Sequence, residues 1–151
     1  MDIPEPAPAG RESACDGPSL LVVGVDGSDT SLRALHYAFG LARRQRSTVL
    51  AVFSYAPIAD LYASAAAAWH TGEELAAELH ATVDALAAEH GVAAEFVRAQ
   101  RDPVLTVIEL ASARRADAII IGASKALSHK LFGSKAVRIV RRSRCPVIVV
   151  P

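Results

Sequence analysis

The residues best suited to hold a charged ligand lie in the last third of the chain. Ala118-Ile-Ile-Ile-Gly122-Ala-Ser-Lys125 is an apolar run that ends in glycine and enters a basic loop, and Gly133-Ser134 then stands at the start of a helix-like run. A strand ending in glycine, with a loop that returns at a Gly-Ser pair, exposes backbone N–H groups. A helix N-terminus adds a dipole that favours anions, so this order of residues suits a phosphate. The charge distribution agrees. Between Ala118 and Pro151 there are seven Lys or Arg and no Asp or Glu, although the chain holds 16 of each sign and its formal net charge is zero. The neutral total hides a dipolar molecule, basic at the C-terminal end and acidic elsewhere.

A second polar cluster, Asp26-Gly27-Ser28-Asp29-Thr30-Ser31, follows the apolar run Leu20–Val25. Asp26 at that place can read a base, orient a metal or cap the next helix. Other chemistries find no support in the same residues. The first turn lacks Gly-x-Gly-x-x-Gly, and no Walker loop is present. A phosphoacceptor site would need adjacent acids after the first strand, where Asp26 is followed by Gly27, and an Asp after the third, where Ala99-Gln100-Arg101 stands. An adenylating or amidating site would need a Ser-Gly-Gly-type loop after the first strand. His36, His70, His80, His90 and His129 show no metal-ligand spacing, and only His129 falls in the basic loop. No nucleophile, base and orienting group can be assembled. The basic side chains Lys135, Arg138, Arg141, Arg142 and Arg144 alternate with apolar residues, as a solvated helix face does, and no aromatic stacking platform for nucleic acid accompanies them.

The elements that must position these residues are legible from periodicity. Leu20–Val25, Thr48–Tyr55, Val92–Ala99, Ala118–Ile121 and Pro146–Val150 are short apolar runs that read as five strands. Leu32, Leu35, Phe39 and Ala42 recur at helical spacing, with Arg43, Arg44 and Arg46 near the end of that helix. Glu73–His90 reads as a second helix through Leu75, Leu79, Val83 and Leu86, stopped by Gly91. Asp102-Pro103 is an N-cap with proline at the first helical position, ahead of Val104, Val107, Ile108 and Ala111. The segment 56–72, with Pro57 and Trp69, reads equally as a loop, a short helix or a lid. Strands that are apolar throughout, with helices between them, predict an α/β fold: an open, mostly parallel five-stranded Rossmann-like sheet with helices on both faces. Ligands in such sheets bind beyond the carboxyl ends of the strands, where the strand order switches.

Residues 20–151 are expected to form the one domain. Residues 1–19 hold four of the eight prolines and two of the nine glycines, and read as a disordered tail with neither the basic nor the apolar region of a signal peptide. No apolar run reaches the ~18 residues a membrane span needs. Cys15 and Cys145 make neither a disulfide framework nor a metal motif, so a reducing cytoplasm is expected.

Taken in order, Val23-Gly-Val-Asp26-Gly-Ser28, Asp102-Pro103, Ala116-Asp117-Ala-Ile-Ile-Ile-Gly122, Gly133-Ser134 and Cys145-Pro-Val-Ile-Val-Val150 resemble a universal stress protein domain over residues 20–151. The resemblance implies an adenine-nucleotide site for ATP or a related nucleotide, with Mg2+ only in its company. Val25 and Asp26 would sit near the adenine and Val52 would offer backbone hydrogen bonds to the base. Gly122, Ala123, Gly133, Ser134 and Lys135 would surround ribose and phosphate. The chain departs from the family signature, in which two residues separate the first glycine from a second. Lys125 stands there, and residues 126–132 make the loop to Gly133 two residues short. Lysine takes positive φ less readily than glycine, but its ammonium can meet a phosphate. The family also implies a homodimer through strand 146–150 and a regulatory protein partner; the short apolar runs lead to the expectation of no membrane partner, and the missing catalytic constellation to that of no turnover, any ATP hydrolysis being slow. A dimeric interaction module of the same family that has lost its nucleotide is the alternative.

Overall fold

The computed structural model describes residues 19–55, 65–123 and 134–151. Five strands, β1 (Leu20–Val25), β2 (Thr48–Ser54), β3 (Ala94–Ala99), β4 (Ala118–Gly122) and β5 (Val147–Val150), form one sheet in the order β3-β2-β1-β4-β5. Every neighbouring pair is parallel. The helices are α1 (Asp29–Gln45), α2 (Ala65–His90), α3 (Pro103–Ala113) and α4 (Ser134–Arg142). Alternate strand residues feed two cores, as the pleat requires. Leu21, Val23, Val25, Val49 and Ala51 meet α1 and α2 through Leu35, Phe39, Leu79 and Val83. Leu20, Val22, Leu50 and Val52 meet α3 and α4 through Val104, Val107, Ala136 and Ile139. The three inner strands β1, β2 and β4 therefore bury both faces and read as apolar runs, whereas the edge strand β3 exposes Glu95 and Arg98 and β5 is half buried. Two helices on opposite faces differ in charge: Glu73, Glu74, Glu78, Asp84 and Glu89 ride on α2, while Lys135, Arg138, Arg141 and Arg142 ride on α4 across the sheet.

Helix ends explain where the boundaries shift from expectation. α2 begins at Ala65 rather than Glu73, so residues 65–72 are helical, while residues 56–64 lie outside the described residues. Val92 belongs to a helix cap rather than to β3: Gly91 has φ 62°, and the Val92 N–H donates to Ala87 O at 3.1 Å. This six-to-one bond across a left-handed residue closes an α-helix. α1 and α3 end likewise, with Arg46 (φ 57°) ahead of Ser47 N–H to Ala42 O, and Arg115 (φ 50°) ahead of Ala116 N–H to Ala111 O. Arg46, expected in the last turn of α1, is thus its left-handed cap. The N-terminal end of α3 is as the sequence implies, with the Asp102 carboxylate accepting from Leu105 N–H at 2.9 Å.

The expected tail, residues 1–19, falls outside the described residues except for Ser19. Among the described residues no helix is long and apolar enough to cross a membrane.

Candidate functional site

The chain adds β2 and β3 on one side of β1, then returns to place β4 and β5 on the other. That reversal leaves a crevice beyond the carboxyl ends of β1 and β4, between the turn after Val25 and the end of β4 at Gly122. A cavity of about 280 Å³ occupies it. Val25, Asp26, Ser28, Thr30 and Ser31 form one wall, and Gly122, Ser134 and Lys135 another. Val52 and Ser54 of β2, with Pro103, Val104 and Val107 of α3, extend it to the side of β1 away from β4. Its volume is close to the lower end of the roughly 300–1,000 Å³ typical of small-molecule sites. Across the sheet the lining changes character: the β2–α3 end is mostly aliphatic, and the β4–α4 end carries the lysine and the N-termini of α1 and α4.

The turn after β1 is built by its own side chains. Gly27 adopts φ 81°, a conformation L side chains rarely take. Ser28, not Asp26, is the N-cap of α1: its hydroxyl accepts from Ser31 N–H at 3.3 Å. Asp26 Oδ1 in turn accepts from Ser28 N–H at 3.0 Å and from Ser28 Oγ at 2.6 Å. Ser31 Oγ donates to Ser28 O at 2.9 Å and accepts from Asp26 N–H at 3.2 Å. Partial enclosure of the Asp26 carboxyl pulls its pKa upward. The hydrogen bonds from Ser28, helped by Ser31 and by the positive charge of Lys135, outweigh that and hold the pKa below its ordinary 3.8. The carboxylate is therefore anionic at neutral pH and already engaged in shaping the turn.

Gly122 has a structural duty that spacing alone does not reveal. A Cβ on it would stand 2.5 Å from Thr30 O and 2.6 Å from Ser31 N, so β4 meets the first turn of α1 backbone to backbone. Ala123 does not line the cavity; its N–H donates to Val150 O at 2.7 Å. The β4–β5 ladder thus runs one residue further and uses this group. Val52 sits inside β2, registered against Gly24 and Val97, and lines the cavity. Lys125 and Gly133, with His129 and the shortened loop, lie outside the described residues. Of the expected set, Val25, Asp26, Val52, Gly122, Ser134 and Lys135 converge on the one cavity.

Sequence reasoning missed Ser54, Thr30, Ser31 and Pro103 as lining residues. Ser28 and Ser31 were visible as turn residues, whereas Ser54 at the end of an apolar strand gives no signal of its own. Asp102 Oδ2 also meets Arg138 Nη2 at 3.4 Å, tying α4 to the N-terminus of α3 beside the aliphatic end. Among the described residues no group of three His, Cys, Asp or Glu can hold a metal ion.

Comparison with known proteins matches this architecture. The model of the universal stress protein family fits residues 20–151. A curated relative, Universal stress protein MJ0531 of Methanocaldococcus jannaschii, is 30% identical over 138 residues, covering 86% of this chain and 80% of the relative. Universal stress protein UspA from Lactobacillus plantarum superposes with a TM-score of 0.73 at 21% identity, covering 88% of this chain and 97% of that one. A universal stress protein solved in complex with cAMP superposes with a TM-score of 0.67 at 25% identity, over 88% of this chain and 97% of that one. A five-stranded parallel sheet, a crevice at its switch point and a family match spanning every described strand lead to one assignment: the chain belongs to the universal stress protein family.

Proposed function

We propose that the chain is a cytoplasmic adenine-nucleotide-binding regulatory module of the stress response, whose occupancy alters its contacts with a protein partner. The observation that carries this is the two-ended cavity at the switch point. Val52, Val104 and Val107 give a planar base aliphatic walls, while Ser134, Lys135 and the N-terminus of α4 give a phosphate hydroxyl, charge and dipole. The two ends lie on opposite sides of β1, so a base at one and a phosphate at the other would have the ribose between them. The related universal stress protein that holds cAMP supports an adenine nucleotide as the occupant. Among the described residues lining the cavity none forms a nucleophile with a base behind it, and binding rather than turnover is the activity proposed.

Homodimerisation belongs to the same reading. β5 is the last strand of the sheet, and Val147–Val150 are only half buried. An apolar edge of this kind is relieved by pairing with its copy about a two-fold axis. Two measurements test the function: mass spectrometry of ligand released from freshly purified, denatured protein, and titration calorimetry with ATP, AMP and cAMP. Recovery of an adenine nucleotide, or saturable heat below hundreds of micromolar, is the expected result. Neither release nor heat would favour the interaction module that works through its dimer surface alone.

A further inference from the structure

Among the described residues, Ser54 is the one with a polar side chain that lines the cavity at its β2–α3 end, between aliphatic walls. It is buried, and its hydroxyl donates to Arg101 O at 2.7 Å. Thr106 Oγ1, also buried, lies 3.2 Å from Ser54 Oγ and 2.9 Å from Asp102 O, to which it donates. A hydroxyl has one proton and two lone pairs. The Arg101 carbonyl takes the Ser54 proton over the shortest of these contacts. The Thr106 proton goes to Asp102 O, and even where it is shared with Ser54 Oγ, that oxygen keeps a lone pair and has no hydrogen left to give. Towards a ligand it is an acceptor only.

Building on the adenine-nucleotide reading, we infer that Ser54 is a specificity-determining residue: its hydroxyl oxygen accepts from an exocyclic amino group on the bound base and disfavours a carbonyl oxygen there. The main chain fixes this polarity. The turn from β3 into α3 supplies Arg101 O, and the N-cap Asp102 supplies both a carbonyl for Thr106 and an ion pair to Arg138 of α4. Reversing the Ser54 hydroxyl so that it donates to a base carbonyl would strand Arg101 O, a cost that a 6-oxo purine nucleotide would have to meet and a 6-amino one would not.

Calorimetry on the full chain with AMP, purine riboside 5′-monophosphate, which has hydrogen in place of the amino group, and IMP tests the assignment. Wild type is expected to prefer AMP over either analogue by roughly tenfold, the scale of one buried hydrogen bond. Ser54→Ala should bring AMP and the purine riboside nucleotide to within about twofold of one another, mainly through weaker AMP binding. Ser54→Cys, which keeps a weak donor for Arg101 O and offers a poorer acceptor, should fall between the two and serves if the alanine variant does not fold. Equal wild-type affinity for AMP and its deaminated analogue, or a preference that survives in the Ser54 variants, would overturn the Ser54 assignment while leaving the adenine-nucleotide reading intact. Wild type that binds no nucleotide would overturn both.

Discussion

Replacing Gly122 with alanine should damage the protein through α1 before any ligand is considered. The added Cβ would lie 2.5 Å from Thr30 O and 2.6 Å from Ser31 N. Contacts of this kind rarely close below roughly 3.0–3.4 Å, so about half an ångström or more must be found. Both obstructing atoms are backbone and cannot rotate aside. Thr30 and Ser31 are buried in the first turn of α1, and α1 packs Leu35 and Phe39 into the core, so the helix resists a shift. Overpacking of a rigid contact costs about 1–3 kcal/mol, and two backbone obstructions place this case near the upper end. At roughly 2–4 °C per kcal/mol for a chain of this size, the melting temperature should fall by about 4–12 °C. Urea unfolding followed by circular dichroism gives the free energy directly. Gly91→Ala is the control: Gly91 has φ 62° but nothing within 4 Å of its Cβ position, so only backbone strain of about 1 kcal/mol applies. A Gly122→Ala variant within ~0.5 kcal/mol of wild type, or no less stable than Gly91→Ala, would refute the backbone-contact account of this glycine.

Other perturbations follow from the same contacts. Because the folded-state pKa of Asp26 is lowered, its contribution is present above the ordinary carboxylate range and is lost as pH falls through the folded value. Wild type should therefore lose stability below about pH 4 more steeply than Asp26→Asn, as read from urea midpoints between pH 3 and 7. Asp102→Ala removes the cap on Leu105 N–H and should cost about 0.5–2 kcal/mol, whereas Arg138→Ala, which breaks only an exposed ion pair, should stay within ~1 kcal/mol in the same assay. Lys135→Ala should weaken ATP binding about tenfold by calorimetry with the melting temperature little changed, since an exposed lysine at the first turn of α4 holds no core together. Removing residues 1–18, a Pro-rich segment with little apolar area to bury, should leave the melting temperature within roughly 2 °C by scanning calorimetry.

Much of this protein is written locally in its sequence. Unbroken apolar runs such as Leu20–Val25 and Ala118–Ile121 declare strands buried on both faces, because a parallel sheet covered by helices needs no polar side. Asp102-Pro103 and Gly91 declare helix ends, because capping is chemistry between near neighbours in the chain. The cavity was legible in outline, since Asp26, Gly122 and Ser134 each sit where a strand or helix ends. What each residue does there was decided by the fold. Val92 reads as strand until the helix before it claims its N–H, and the Ala123 N–H looks free until β5 lies beside it. Gly122 was assigned to a ligand on spacing, yet it is held to glycine by Thr30 and Ser31, some ninety residues earlier in the chain. Ser54 became an acceptor facing the cavity only when α3 brought Thr106 and the Arg101 carbonyl against it. Periodicity and caps depend on neighbours within a few residues, so the sequence alone determines them. Close approach, ladder bonding and the direction of a hydroxyl proton depend on atoms that only the tertiary structure brings together.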